Sequence, residues 1–157
     1  MKKETYDKMF FSCVGILIGI FFVMIFMFGW LNQIRYSVQF KINGYTKENA
    51  VAICSGKDLK GTTFCINSFI RGIYKFKQTS DKEYVSFEKL KEVGGDCLNW
   101  KNLICEIAKG VNYGCTSVVF PIEIRDNIHY KHTYAILHSP EGYSNFDGKE
   151  VNIIFYD

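Results

Sequence analysis

From Met9 to Leu31 the chain reads MFFSCVGILIGIFFVMIFMFGWL, with no charged residue and only Ser12 clearly polar. A run of this length crosses a bilayer core of roughly 30 Å as a helix. Trp30, near its C-terminal end, suits the interfacial belt. A cleaved signal peptide would have a shorter apolar core followed by a small-residue cleavage site, and neither "FGWLNQ" nor its neighbours supply one. A helix buried in a soluble core is rarely apolar all the way round for so long. The expectation is therefore a single transmembrane anchor over 9–31, after an N-terminal tail over 1–8. Lys2, Lys3, Lys8 and the amino terminus precede the run, whereas Arg35, Lys41 and Lys47 follow it. The positive-inside rule leans towards a cytoplasmic N-terminus and an extracytoplasmic domain.

What remains of the 157 residues suffices for one domain. "IRYSVQFKINGYT" reads as an extended spacer or short strand that turns at Asn43 and Gly44, giving a spacer over 32–45 and a domain over 46–157. Thr46 is placed to cap a helix through "KENAVAICS", which Gly56 ends. Between Asp58 and about Lys77, Leu59, Ile66, Phe69, Ile70 and Ile73 recur at helical spacing and share a face. "SFEKLKEV" is a further short helix with Ser86 as its N-cap, and Gly94 and Gly95 break it. Beyond Gly114 the chain becomes rich in β-branched and aromatic residues: "CTSVVFPIEI", "IHYKHTYAIL", "GYSNF" and "VNIIFY" are separated by turn formers. Helices followed by strands predict an α+β fold.

The net charge of +3 is small and scattered. No arginine-rich stripe or aromatic–basic interleaving appears, which argues against a nucleic-acid partner. Among the six cysteines there is no CxxC pair, which disfavours a structural zinc site. Cys13 lies in the apolar run. Cys54, Cys65, Cys105 and Cys115 either form two disulfides, with three possible connectivities, or serve as small buried hydrophobes.

Cys97 stands apart. In "GGDCLNWKNLIC" a glycine pair and an aspartate come directly before it and an amphipathic stretch directly after it. With Asp96 as N-cap, a helix runs from Cys97 to about Lys109 and Gly110 stops it. Trp100, Ile104, Ile107 and Ala108 fall on one face, which Cys97 begins. A thiol at a helix N-terminus lies beside unpaired backbone N–H groups and the positive end of the helix dipole. Both favour thiolate, and a neighbouring imidazolium favours it further. The glycines permit a tight turn and leave room for a substrate carbonyl. The backbone N–H of Cys97 is the one oxyanion donor that can be named.

A nucleophilic thiol needs a base, and three histidines are available: His129, His132 and His138. "HSPEG" is a hairpin turn. If it closes around Ser139 to Gly142, facing positions sum to about 281, so Tyr134 opposes Asp147 and His132 lies diagonal to that aspartate. Strand alternation puts His132, Tyr134, Ile136 and His138 on one face with Asn145 and Asp147, and turns His129 the other way. His138 sits at the turn, far from Asp147. His132 is the expected base, with Asp147 or Asn145 to orient it.

"GGDCLNWKNLICEIAKG", then a β segment, then "HTYAIL", then "YSNFD", resembles the transglutaminase-like superfamily of papain-fold thiol enzymes. There a cysteine opens a helix after a Gly-rich turn, a histidine follows in a strand, and an aspartate closes the next strand. "GIYKF" and "SFEKLKEV" resemble the helical region that precedes the nucleophile. The likeness covers Lys47 to Asp157. Many members are Trp-rich around the His and Asp strands, whereas this chain has Tyr134 and Phe146 there. The resemblance implies a nucleophile helix packed on an antiparallel sheet, with Cys97 as nucleophile, His132 as general base and acid, and Asp147 as its orienter. It implies acyl transfer through an acyl-enzyme, without a cofactor. The expected activity is that of a membrane-anchored thiol hydrolase, a peptidase or amidase, acting on a protein or peptide. Cross-linking with an amine acceptor is the lesser variant, because no cluster of acidic calcium ligands is present. The alternative from another class is a non-catalytic papain-like module that binds at the membrane.

Overall fold

The computed structural model describes residues 3–78, 85–125 and 128–156, and the side chains of 14–24, 27, 31–78, 85–120 and 132–156. The chain divides into two units, Met1–Arg35 and Tyr36–Asp157. The first contains most of helix α1 (Lys3–Asn43). Every residue from Gly15 to Met24 on it is exposed, Ile16, Leu17 and Phe22 by more than 60%. Among the described residues no helix is long and apolar enough to cross a membrane. The side chains of 9–13, 25, 26 and 28–30, Trp30 included, lie outside those described.

One expectation is overturned at the start of the second unit. Residues 35–43 are not an extended spacer but the last turns of α1. Phe40 explains the difference: it is fully buried, with its ring 5.2 Å from Phe69 and 5.8 Å from Tyr45. Burying a phenylalanine is worth about 2 kcal/mol, more than the strand preference of Tyr36, Val38 and Phe40 can oppose. Gly44, at φ 86°, then turns the chain where a turn was expected.

Three short helices and their caps follow. Thr46 caps α2 (Lys47–Cys54) through Asn49 N–H, Asp58 caps α3 (Leu59–Ile73) through Gly61 N–H, and Ser86 caps α4 (Phe87–Val93) through Lys89 N–H. The third helix stops four residues before the expected Lys77, because residues 75–77 leave it to pair with the glycine turn described below. Helix α5 spans Cys97–Gly110. Gly110 is its last residue and not its stop. A Cβ there would meet Val51 Cγ2 at 2.5 Å, so the glycine lets α2 approach, and Asn112, at φ 65°, turns the chain away.

The second half is a four-stranded antiparallel sheet in the order β1 (Gly114–Arg125), β2 (Ile128–Ser139), β3 (Gly142–Asp147), β4 (Glu150–Phe155). The expected α+β class is thus observed. Helix α5 packs on β2 and β1, and α3 on β3 and β4. Ile66, Phe69 and Ile70 of α3, Trp100, Ile104 and Ile107 of α5, Ala135 and Leu137 of β2, and Phe146 of β3 form one buried core. Thr63 Oγ1 donates to Ser144 Oγ at 2.9 Å within it, so these two buried hydroxyls, one from each layer, are paired. Cys54–Cys65 ties α2 to α3 and Cys105–Cys115 ties α5 to β1, which resolves the three possible connectivities. Among the described side chains Cys97 is the one cysteine outside a disulfide.

Candidate functional site

The turn in front of Cys97 is packed on both sides. Phe76 and Gly95 form a parallel bridge, with Gly95 N–H donating to Lys75 O and Lys77 N–H to Gly95 O, each at 3.0 Å. Trp100 Nε1 closes the turn from above, donating to Gly95 O at 3.0 Å and Lys75 O at 3.2 Å. Gly94 has φ 85°, and a Cβ on it would stand 2.5 Å from Lys75 O; one on Gly95 would strike Leu90 Cδ1. These glycines therefore do not leave room for a substrate. They let the protein's own backbone run against the start of α5 and fix where that helix begins.

Asp96 Oδ1 accepts from Asn99 N–H at 3.0 Å and from Asn99 Nδ2 at 2.9 Å, as an N-cap should. Buried Asn99 in turn accepts from Val85 N–H through Oδ1 at 3.3 Å. Cys97 is thereby held as the half-buried first residue of α5, beside N–H groups that have no partner within the helix. Replacing Asp96 with alanine should cost about 1 kcal/mol of stability. A denaturant midpoint unchanged in the Asp96→Ala variant would show that the cap is dispensable.

Ala135 opposes Phe146 in the β2–β3 pair, so facing positions sum as expected and Tyr134 and Asp147 belong to the same row. His132 Nε2 and Asp147 Oδ1 are 2.5 Å apart, with side chains 24% and 46% exposed. A carboxylate on Nε2 holds the proton there and presents Nδ1 as the basic nitrogen. His132 and Tyr134 alternate with buried Thr133 and Ala135, so the pair lies on the accessible face of the sheet. The His132 ring stands edge-on to Tyr134 at 4.6 Å, and Tyr134 edge-on to Phe120 at 5.5 Å. Asn145, the other candidate orienter, opposes Ile136 and Asn152, and its buried Oδ1 has no hydrogen-bond partner among the described residues. His138 is engaged elsewhere, with Nε2 2.7 Å from Thr116 Oγ1. The backbone of His129 pairs with Ile124, and its side chain lies outside those described.

Tyr74, to which the sequence alone assigns no role, joins the two halves of the site. It is the C-cap of α3. Its ring lies 4.8 Å from that of Trp100, one helical turn after Cys97. Its hydroxyl faces Gly148, the residue after Asp147: a Cβ on Gly148 would stand 2.7 Å from Tyr74 Oη. Burial first, then the negative charges of Asp147 and of Cys97, hold the phenol above its usual pKa. The start of α5 and the end of β3 therefore meet at one phenol. The signal was present in "GIYKF", but only the tertiary placement of the end of α3 gives that tyrosine a neighbour on each side.

Among the described residues no three His, Cys, Asp or Glu side chains gather as metal ligands do. No protein-family model, curated protein or solved structure matches this chain.

Proposed function

We propose that this chain is a membrane-tethered thiol hydrolase with a transglutaminase-like arrangement of Cys97, His132 and Asp147. The observation that carries the reading is the His132–Asp147 bond, which engages Nε2 and presents Nδ1, the nitrogen with which His132 would take the thiol proton. The Cys97 sulfur attacks an amide or ester carbonyl and forms the S–C bond. His132, having taken the thiol proton, gives it to the leaving amine as the C–N bond breaks. Water then attacks the thioester with His132 as base, and the carboxylic acid leaves as Cys97 recovers its proton. An amine in place of water would give cross-linking by the same steps.

The apolar run over 9–31 supports a tether. Two disulfides support an extracytoplasmic site for the domain, because such bonds persist in oxidising compartments.

The test is iodoacetamide labelling of the full chain in detergent, read at Cys97 by mass spectrometry from pH 5 to 10. An unassisted thiol, with a pKa of roughly 8.5, is about 1% thiolate at pH 6.5. Cys97 should label at that pH tens of times faster than such a thiol, His132→Ala should remove the gain, and His129→Ala should keep it. Labelling that follows an ordinary thiol curve, or equal losses in both histidine variants, overturns the reading in favour of a binding module.

A further inference from the structure

We infer that Tyr74 is a catalytic residue of this site, whose hydroxyl donates to the oxygen that becomes negative when Cys97 attacks a carbonyl. The inference rests on the thiol-hydrolase reading and supplies what that reading lacks, a side-chain oxyanion donor beside the backbone N–H of Cys97.

Placement is the first support. The Tyr74 ring is fixed against Trp100 at 4.8 Å, and Trp100 is itself buried and anchored by its bonds to Gly95 and Lys75. The phenol is thus tied to the same turn that begins α5, so it keeps a fixed relation to Cys97. Its other end is set by Gly148, where only a residue without a Cβ leaves space for the hydroxyl; Gly148 also has φ 57°. The donor is confined between the first turn of the nucleophile helix and the end of the Asp147 strand, close enough for the charges of both Asp147 and Cys97 to act on it.

Its chemistry is the second support. A phenol O–H can donate to one acceptor, and no hydrogen bond of the Tyr74 hydroxyl is made to any described residue. A half-buried donor left open is poised to meet an oxyanion at little reorganisation cost. Its raised pKa keeps the proton on oxygen across the neutral range, where the thiol is to react.

The step balances. As the Cys97 sulfur bonds to the carbonyl carbon, the π pair moves to oxygen, and Tyr74 O–H and the Cys97 N–H share that charge. The pair then returns to re-form the carbonyl, the bond to the leaving group breaks, and Tyr74 ends with its proton. It exchanges no proton with solvent during the step.

Two reagents separate this role from others. p-Nitrophenyl acetate acylates a thiol through a tetrahedral oxyanion, with p-nitrophenolate leaving, whereas iodoacetamide alkylates it by displacement at carbon and forms no oxyanion. Tyr74→Phe keeps the ring against Trp100 and removes only the hydroxyl. In the full chain in detergent, acylation of Cys97 should fall about 100-fold in the variant, with alkylation within about twofold of the parent chain. Equal acylation rates overturn the donor role and leave the hydrolase reading intact. Parallel losses in both reactions overturn it as well, because they assign the hydroxyl to the thiol itself. Absence of Cys97 acylation in the parent chain removes the hydrolase reading and this role together. Tyr113→Phe, whose hydroxyl bonds Lys57 O at 3.0 Å, serves as the control for loss of a phenol elsewhere.

Discussion

Cys97→Ala should reduce turnover of p-nitrophenyl acetate by the full chain by at least about 10⁴-fold while leaving the fold intact. The magnitude follows from removing the group that would form the covalent intermediate in the proposed mechanism, since partners that act as a unit retain little without it. Retention of the fold follows from position. Cys97 is only half buried, belongs to neither disulfide, and begins a helix whose start is set by the cap at Asp96 and by the Trp100 ring. Alanine also propagates the first turn of α5 better than cysteine does. Thermal unfolding within a few degrees of the parent chain, together with lost turnover, is the expected pair of results. Turnover that survives would assign the nucleophile to another residue, and an unfolded variant would assign Cys97 to packing.

Gly94→Ala should be the most damaging single methyl group that can be added near the site, at about 3 kcal/mol or more. Two costs coincide there. A left-handed φ of 85° with ψ near 180° is a conformation that side-chain-bearing residues avoid, and the added carbon would stand 2.5 Å from a backbone oxygen, Lys75 O. Backbone cannot swing aside as a side chain can, so relief requires pulling residues 75–77 away from the turn. That releases the acceptors on which Trp100 Nε1 depends. The denaturant midpoint should therefore fall, and Cys97 labelling should drift towards that of an ordinary thiol. A variant of parental stability would show that the turn is looser than its hydrogen bonds imply.

The hairpin was legible because Ser139, Pro140 and Gly142 admit few ways of turning, and a two-residue alternation then carries Asp147 to the neighbourhood of His132 without further information. The start of α5 was legible for a similar local reason, an aspartate able to cap the helix three residues before Asn99. What stayed hidden depended on distant partners. Tyr36, Val38 and Phe40 alternate like a strand, and burial of Phe40 against Phe69 and Tyr45 makes helix the better state. The glycine pair suggested an opening for substrate because a sequence cannot show that residues 75–77 fill it. The pairing of four cysteines was open for the same reason, and Tyr74 acquired a setting only when three separate segments met.

Helix α5 also bears on how the protein acquires the correct bonds. Its first residue, Cys97, and its ninth, Cys105, are separated by roughly 12 Å along the axis once the helix forms, at 1.5 Å per residue. Bridged cysteines have Cα atoms less than about 7 Å apart, so a coiled α5 forbids the pairing that chain proximity would otherwise favour. The two native bridges join cysteines 11 and 10 residues apart, each with its nearest suitable neighbour in sequence. An order of maturation follows: Cys54 and Cys65 can close before Cys97 is made, and winding of α5 then keeps the remaining thiol from oxidation by its own helix. Helix geometry by itself thus keeps Cys97 from bridging to Cys105.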